Sequence, residues 1–512
     1  MAKPTIRIAT VLLAGLAITP LLEAKEKPKV SVEELQKENL KAGSQKNKTG
    51  EAVQITSLTL EIAIREALQN NLSFQNAFTD VEIAERARKA ADASLFEPSL
   101  GFAGNRRGQR YTGGRASIYN ADATATYRQT LSNSIAIEAG YQTIFQGGND
   151  AGGAFIGASK ALNGKDNQFL QNELNLRLAE EDRQIAYHQF LNSYQDLVYR
   201  VVQSYLGTIK NFRQIEVANS VLDYRKELLE LTKVKFNLGV STRLDVLRVE
   251  VQVAQQEERI IATQNSYDNS LDDLLNLMNY RQNREMSLDY DSQETFRDYV
   301  EKDWQELAKQ NRQDLKISNL NAKKESLRLS TSKQLEKNKI MFNGRMSEVP
   351  EVQQFPGQVV TESSWNAGVS YTIPLGNEFR KQNTKIQALR VTNQERRSEE
   401  LAYNVEVEVR EAIRNLNSTQ KRIKVLKKNV EQAEENLKLA QLSYEKGIKA
   451  LIEVLDAQDD LLEVKTSFVN SLLDLRQAEY ALLKSCGLIS VPLEIQELAM
   501  REAGIAVAAI ME

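Results

Sequence analysis

The side chains of this chain that could do chemistry cluster in two short stretches. Residues 236–247 read FNLGVSTRLDVL and residues 444–458 read YEKGIKALIEVLDAQ. The first carries Asp245 downstream of Gly239. The second carries Tyr444 just before Gly447, and Lys449, Glu453 and Asp456 after it. Carboxylates and a lysine at such spacing can pair, attract cations or cap a helix, but they do not supply a nucleophile with its base. The chain has one histidine, His188, and one cysteine, Cys486. A lone histidine would have to serve any Ser/His/Asp set, and neither residue has companions at metal-ligand spacing. No glycine-rich phosphate loop occurs, and Cys486 cannot form an intramolecular disulfide. Neither an enzyme, nor a metal centre, nor a bound cofactor is expected.

The two stretches are copies of one another. Gly239 and Gly447 lie 208 positions apart. At that offset Phe236 meets Tyr444, Val240 meets Ile448, Asp245 meets Glu453, Val246 meets Val454 and Leu247 meets Leu455. Each glycine separates two long helical runs, so the segments 237–243 and 445–451 read as tips of helical hairpins. Gly239, Val240, Ser241 and Thr242 form the first tip; Gly447, Ile448 and Ala450 form the second. From 167 to 237 there is no proline and only Gly207, which permits one helix about 105 Å long at 1.5 Å per residue. Ile215, Leu222, Leu229 and Phe236 recur at heptad spacing, and Leu416, Ile423, Val430, Leu437 and Tyr444 do the same in the second half. Return helices are expected to about Met278 and over about 450–485. Thr242-Arg-Leu-Asp245 fits a capping box, so Asp245 has a purely structural reading beside any functional one. The second tip has no Ser or Thr cap before Glu453, and Asp456 could be a solvated face residue.

The remaining elements must position these tips. Residues 1–24, with Lys3 and Arg7 before an apolar core and Leu-Glu-Ala at 22–24, read as a cleaved signal peptide, and 25–57 as a flexible leader. Helical periodicity begins at Leu58 and predicts one helix to about Phe96, closed by Pro98. Residues 99–162 are rich in Gly, Ala, Ser and Thr with weak alternation, enough for four strands including a tight turn at 131–134; a disordered loop is the alternative. A polar connector spans 279–300. The second repeat (301–486) then offers a helix to about 336 and two strands, 339–346 and 363–373, around a loop carrying Pro350, Pro356 and Gly357. Trp365, Ala367, Val369, Tyr371 and Ile373 alternate onto one face of the second strand. Pro374, Gly376 and Asn377 open the next long helix, and 487–512 form an apolar tail. With only 8 prolines and a net charge of −3, the composition favours extended helices and offers no general basic surface for nucleic acid. No run is apolar enough for a transmembrane helix, so an exported chain of this kind is periplasmic, secreted or inserted as a β-barrel. The expected fold class is mainly α with a membrane β-barrel: coiled hairpins of an internally duplicated protomer, closed by association of copies.

These motifs resemble the TolC family of outer-membrane efflux proteins. The resemblance is carried by LTLEIAIREALQNNLSF (58–74), YTIPLGNEFRKQ (371–382) and the two tips, and it covers nearly the whole mature length. It implies a homotrimer with a β-barrel in outer-membrane lipid and a helical barrel in the periplasm. Such a trimer is the passive exit duct of a tripartite efflux pump or type I secretion system, docked through its tips on a periplasmic adaptor (membrane fusion) protein and an inner-membrane transporter. It further implies that Pro98, Pro374, Gly376 and Asn377 mark the junction of barrel and tunnel. Asp245, Tyr444 and Lys449 would stand at the links that hold the mouth closed, and Glu453 and Asp456 at the aperture, where rings of carboxylates attract cations and repel anions. Lys449 replaces the family's arginine and lacks its bidentate fork, so the latch is expected to be looser. The family has two strands per half, fewer than 99–162 can supply. The rival expectation is a periplasmic coiled-coil structural or adaptor protein with no barrel.

Overall fold

The computed structural model describes residues 57–109, 118–131, 135–146, 149–280, 287–288, 296–352, 359–373, 377–491 and 495. The expected signal segment, most of the leader, connector and tail, and the junction residues Pro374 and Gly376 lie outside the described residues. The first half comprises β1 (Ser57–Leu58), α1 (Leu60–Asn70), α2 (Leu72–Phe96), β2 (Ser99–Gln109), β3 (Ile118–Leu131), β4 (Ile135–Gln146), β5 (Asn149–Ala161), α3 (Asn167–Asn237) and α4 (Arg243–Leu277). The second comprises β6 (Ser287–Leu288), α5 (Glu301–Asn311), α6 (Gln313–Leu335), β7 (Lys339–Val352), β8 (Val359–Thr372), α7 (Glu378–Glu445) and α8 (Leu451–Ser485). β1 and β6 pair in parallel, tying the start of one half to the start of the other.

The long helices α3 and α7, of 71 and 68 residues, are the spine. α3 packs on α2 and α4, α7 on α5, α6 and α8, and α3 also meets α6 and α8 across the repeat boundary. The short helix of each repeat, expected to be continuous, is broken. Asn71 and Arg312 adopt extended backbone, with φ −71°, ψ 117° and φ −61°, ψ 123°. The cause is the neighbouring return helix, which ends at that level and leaves carbonyls without partners. Asn71 Nδ2 donates to the Leu277 carbonyl at 3.0 Å while its Oδ1 accepts from Phe74 N–H, capping α2. Arg312 Nη1 donates to the Ser485 carbonyl at 3.1 Å, and its guanidinium is also held by Asp314 and Glu408. One side chain at each break thus closes another helix's end.

The repeat is legible in the backbone as well. Gly239 (φ 71°) and Gly447 (φ 72°) are left-handed, and so are Asn279 (φ 51°) and Gly487 (φ 67°), the residues that end α4 and α8. Both pairs have the same sequence offset. The seams are less equal. On α7, Leu416, Ile423, Leu437 and Tyr444 are buried as the heptads predict and Val430 is half-buried; Leu437 and Tyr444 pack with Val454, Leu455 and Leu461 of α8 near the tip, Leu416 and Ile423 with Leu475 and Leu482 further along. On α3 the buried row is instead Ala218, Val221, Arg225, Leu228 and Thr232, while Ile215, Leu222 and Leu229 are half-buried and Phe236 is exposed. α3 lies between two neighbours, so its contact face is turned from the single seam expected of a hairpin.

Four strands do arise from 99–162, and with β7 and β8 they form one antiparallel sheet of order β2-β3-β4-β5-β7-β8. β7 runs past the expected end at 346, carrying Pro350 opposite Thr361. β5 leaves β7 after Ser347, so at Pro350 β7 is paired with β8 alone. Register places Leu100, Tyr127, Ala139, Ile156, Met346 and Trp365 in one lateral row, and Ser99, Arg128, Glu138, Gly157, Arg345 and Asn366 in the row beside it on the other face. One face is therefore apolar and uncovered, with Phe102 and Trp365 each 78% exposed, and the other is polar. Strands of 11 to 14 residues are long enough to cross a bilayer.

Gly487 tests the close packing at the helix break. A Cβ there would lie 3.1 Å from the Asn311 backbone, whereas a Cβ at Gly447 meets nothing within 4 Å. Both substitutions to alanine carry the left-handed penalty of about 1–2 kcal/mol. Gly487→Ala should therefore lower the melting temperature in detergent by clearly more than Gly447→Ala. Equal losses would count against the contact.

Candidate functional site: the paired hairpin tips

Both tips are built by the same hydrogen bonds. Gly239 N–H donates to the Phe236 carbonyl and Val240 N–H to that of Lys235, each at 2.9 Å; Gly447 N–H donates to Tyr444 at 3.0 Å and Ile448 N–H to Ser443 at 2.9 Å. This is the glycine-terminated Schellman pattern, which uses the left-handed residue to satisfy the last carbonyls. It leaves Leu238, Val240 and Ile448 with about 70% or more of their surface exposed at the extremity.

Beyond the turns the tips diverge. Thr242 caps α4, and Asp245 completes the box, with Oδ2 accepting from Thr242 N–H at 3.0 Å, Thr242 Oγ1 at 2.7 Å and Ser241 Oγ at 3.1 Å. The Thr242 backbone N–H, followed by the two hydroxyls and Arg248, holds the Asp245 carboxyl below the usual carboxylate range. Ala450 caps α8 with no side chain, and there Lys449 Nζ meets Glu453 at 2.7 Å one turn on. Within the protomer the structure does not bring Lys449 to Asp245: each carboxylate is engaged inside its own tip. Asp456 is exposed, and Asp460 and Glu463 continue its row at helical spacing. At the equivalent places of α4 stand Arg248, Gln252 and Gln255, so the acidic stripe belongs to the second hairpin alone.

Tyr444 is one point where the two hairpins are joined. Its side chain is buried, its hydroxyl lies 3.4 Å from Thr232 Oγ1, and Lys235 Nζ sits 3.9 Å from the ring centroid while donating to the Tyr444 carbonyl. Lys235 and Thr232 were not singled out from the sequence, and neither was Arg225. The Arg225 side chain is buried in the α3 seam, donates to the Gln252 carbonyl of α4 at 2.8 Å, and pairs with Asp459 of α8. Burial lowers its pKa and Asp459 offsets this only in part. A charged residue in a row with Ala218, Val221, Leu228 and Thr232 was the available signal.

The other candidates are structural in their contacts. His188 Nδ1 lies 2.8 Å from Gln313 Oε1, with its pKa lowered by burial; Cys486 is buried and donates to the Trp304 carbonyl at 3.6 Å. Among the described residues no group of three His, Cys, Asp or Glu side chains could hold a metal, and no helix is long and apolar enough to cross a membrane. At the sheet–helix boundary, Pro98 separates the α2 cap Glu97 from β2. Asn377 opens α7, with Nδ2 toward the Glu336 carbonyl at 3.4 Å and a buried, unpartnered Oδ1.

The lowered Asp245 carboxyl fixes a sign for pH. Its contribution to the α4 cap is fully present above the ordinary aspartate value near ~3.9 and is lost as pH falls through the lower folded value. Amide exchange at the first tip should therefore stay slow at pH 4.5 and accelerate only under stronger acid. In Asp245→Asn it should be faster already at neutral pH, by up to the ~1 kcal/mol typical of a cap. Identical exchange in the two proteins would remove Asp245 from the cap.

Residues 167–280 and 307–488 match the outer membrane efflux protein family, more than half of the chain. The solved channel CmeC of Campylobacter jejuni is similar in fold, with TM-score 0.63 and 12% identity over 88% of this chain and 90% of that one. VceC of Vibrio cholerae gives 0.62 and 15% over 84% and 96%, and the open state of MtrE of Neisseria gonorrhoeae gives 0.60 and 17% over 84% and 89%. No protein of curated function matches by sequence. At these identities the structural likeness is one of fold, while the family match is one of sequence. The chain belongs to the outer membrane efflux protein family, a family of channels and not of enzymes, and its place is the outer membrane.

Proposed function

We propose that the chain is one third of a passive exit duct that carries substrates of an inner-membrane transporter across the outer membrane. The observation that supports this best is the sheet. Its uncovered face is apolar, while β2 and β8 each keep one edge unpaired among the described residues. Open edges in lipid leave backbone groups unsatisfied, so the sheet must close, and one chain of six strands cannot close it. Three copies, the number that the resemblance to the TolC family implies, would make a barrel of eighteen strands, a size that leaves an aqueous bore. The helical part asks for the same partners. Leu389 and Tyr403 on α7 and Leu244 and Ile261 on α4 are each more than 60% exposed, and neighbouring copies would cover them. The barrel-free periplasmic reading leaves the apolar sheet face in water.

The tips are the docking and gating end in this reading. Exposed Val240 and Ile448, with Leu238, offer apolar contacts to a periplasmic adaptor. Tyr444, anchored by Lys235 and Thr232, holds the second hairpin against the first. Glu453 and Asp456 from three copies would ring the aperture, with Lys449 neutralising Glu453. The latch is then a set of weak contacts at an exposed end, each about 0–1 kcal/mol, which adaptor binding can displace. Asp245 acts through the first tip's cap.

Fractionation followed by electrophoresis of unheated samples should find the mature protein in the outer membrane as a detergent-resistant trimer. A soluble monomer after export would sink the duct. In planar bilayers, Lys449→Ala frees Glu453 and should strengthen block by multivalent cations, whereas Glu453→Ala with Asp456→Ala should relieve it. Block that ignores both changes would count against the acidic ring.

A further inference from the structure

The polar face of the sheet carries one organised cluster that an exit duct does not need. Glu138 of β4 lies between two arginines: Arg128 Nη2 of β3 at 3.4 Å from Oε2, and Arg345 Nη1 of β7 at 3.8 Å from Oε1. To reach β7 it must cross β5, and the residue beneath it there is Gly157. A Cβ at that position would stand 3.2 Å from Glu138 Cγ and 3.3 Å from Oε1. Arg345 in turn lies 4.0 Å over the ring of Phe155, which is buried because it covers Gly140, where a Cβ would fall 2.5 Å from the ring. Two glycines and a phenylalanine therefore shape a seat in which two guanidinium groups share one carboxylate. The seat carries a net positive charge, and Arg128 keeps 65% of its side-chain surface open. Arg128 and Glu138 stand on β3 and β4, in the strand region that lies outside the two segments matching the efflux family.

A cross-strand ion pair alone would account for charges of both signs, at about 0.2–1 kcal/mol per pair. It does not account for a second arginine on a carboxylate that the first already neutralises, stacked on an aromatic ring and left with N–H groups to spare. Guanidinium forks bind carboxylates, phosphates and sulfonates through paired charged hydrogen bonds. We propose that Arg128, Glu138 and Arg345 form an anion-binding station on the wall of the barrel, taking carboxylate-, phosphate- or sulfonate-bearing solutes on their way out. This rests on the reading of the polar sheet face as the bore. In a trimer the station recurs three times, so that a cationic belt in the membrane follows the acidic stripe at the helical tips. Glu138 sets its strength by holding part of the arginine charge.

The full-length protein in planar bilayers under a potassium chloride gradient tests this through its reversal potential. Arg128→Gln with Arg345→Gln should lower the anion-to-cation permeability ratio about twofold at ~0.01 M salt. The shift should fade near ~1 M, where charges are screened within about 3 Å. Glu138→Gln should move the ratio the opposite way, and Arg345→Lys, which keeps the charge, should leave it in place. A purely structural triad predicts losses of stability of one sign and no change in selectivity. Should the Arg345 variants fail to assemble, Arg128→Gln against Glu138→Gln carries the same opposed signs. Channels whose reversal potential ignores every one of these changes would overturn the station and leave the duct standing. A wild-type protein that forms no channels would overturn the duct, and the station with it.

Discussion

A helix of 71 residues can bury its apolar row only if something runs beside it for its whole length. The fold answers this by giving each long helix shorter partners laid end to end. α3 has α2 and then α4; α7 has α5 and α6 and then α8. The cost of that solution is a joint where two partners meet and leave terminal carbonyls unpaired. The joint is occupied by a broken helix whose break residue reaches across, Asn71 to Leu277 and Arg312 to Ser485. Breaks, left-handed residues and hairpin tips thus follow from one packing constraint applied twice.

The duplication is accurate in the backbone and loose in the side chains. The backbone repeats at the tips and at the ends of the return helices. The side chains need not, because their surroundings differ. Tyr444 is buried between hairpins while its counterpart Phe236 faces outward, and Arg225 occupies a seam position on α3 because α4 and α8 both supply acceptors there. A box of Thr242 and Asp245 makes the first tip self-sufficient. The second lacks a side-chain cap, and its charges remain at its surface as Lys449, Glu453 and Asp456.

What the sequence made legible follows the strength of each local signal. Glycine breaks in proline-free runs, heptads and the capping box are short-range patterns, and they sufficed for the long helices, the tips and the role of Asp245 in its cap. The two helix breaks were not legible, because Asn71 and Arg312 are extended on account of helix ends more than 170 positions away. The α3 seam was misplaced for a similar reason: its orientation depends on a second neighbour from the other repeat. Lys235 and Thr232 escaped because their partner Tyr444 lies more than 200 positions on. Four strands in 99–162 could be expected from composition and turns, but their join to the second half through β5 and β7 is a tertiary fact.

The same distinction bears on the sheet. In the proposed duct, six strands per chain would widen the wall, and the wider bore would grip less tightly whatever passes. A wider tube would discriminate less by size, so its selectivity would have to come from charge held at the wall. Held charge demands rigidity, since a free arginine on a strand sweeps a large volume and averages its field. Phe155 beneath Arg345, Gly157 beneath Glu138 and the register that aligns three strands in one row supply that rigidity. In that duct, added width and a fixed charged row would be two sides of one change: the strands that would enlarge the bore also carry the groups that could read what goes through it.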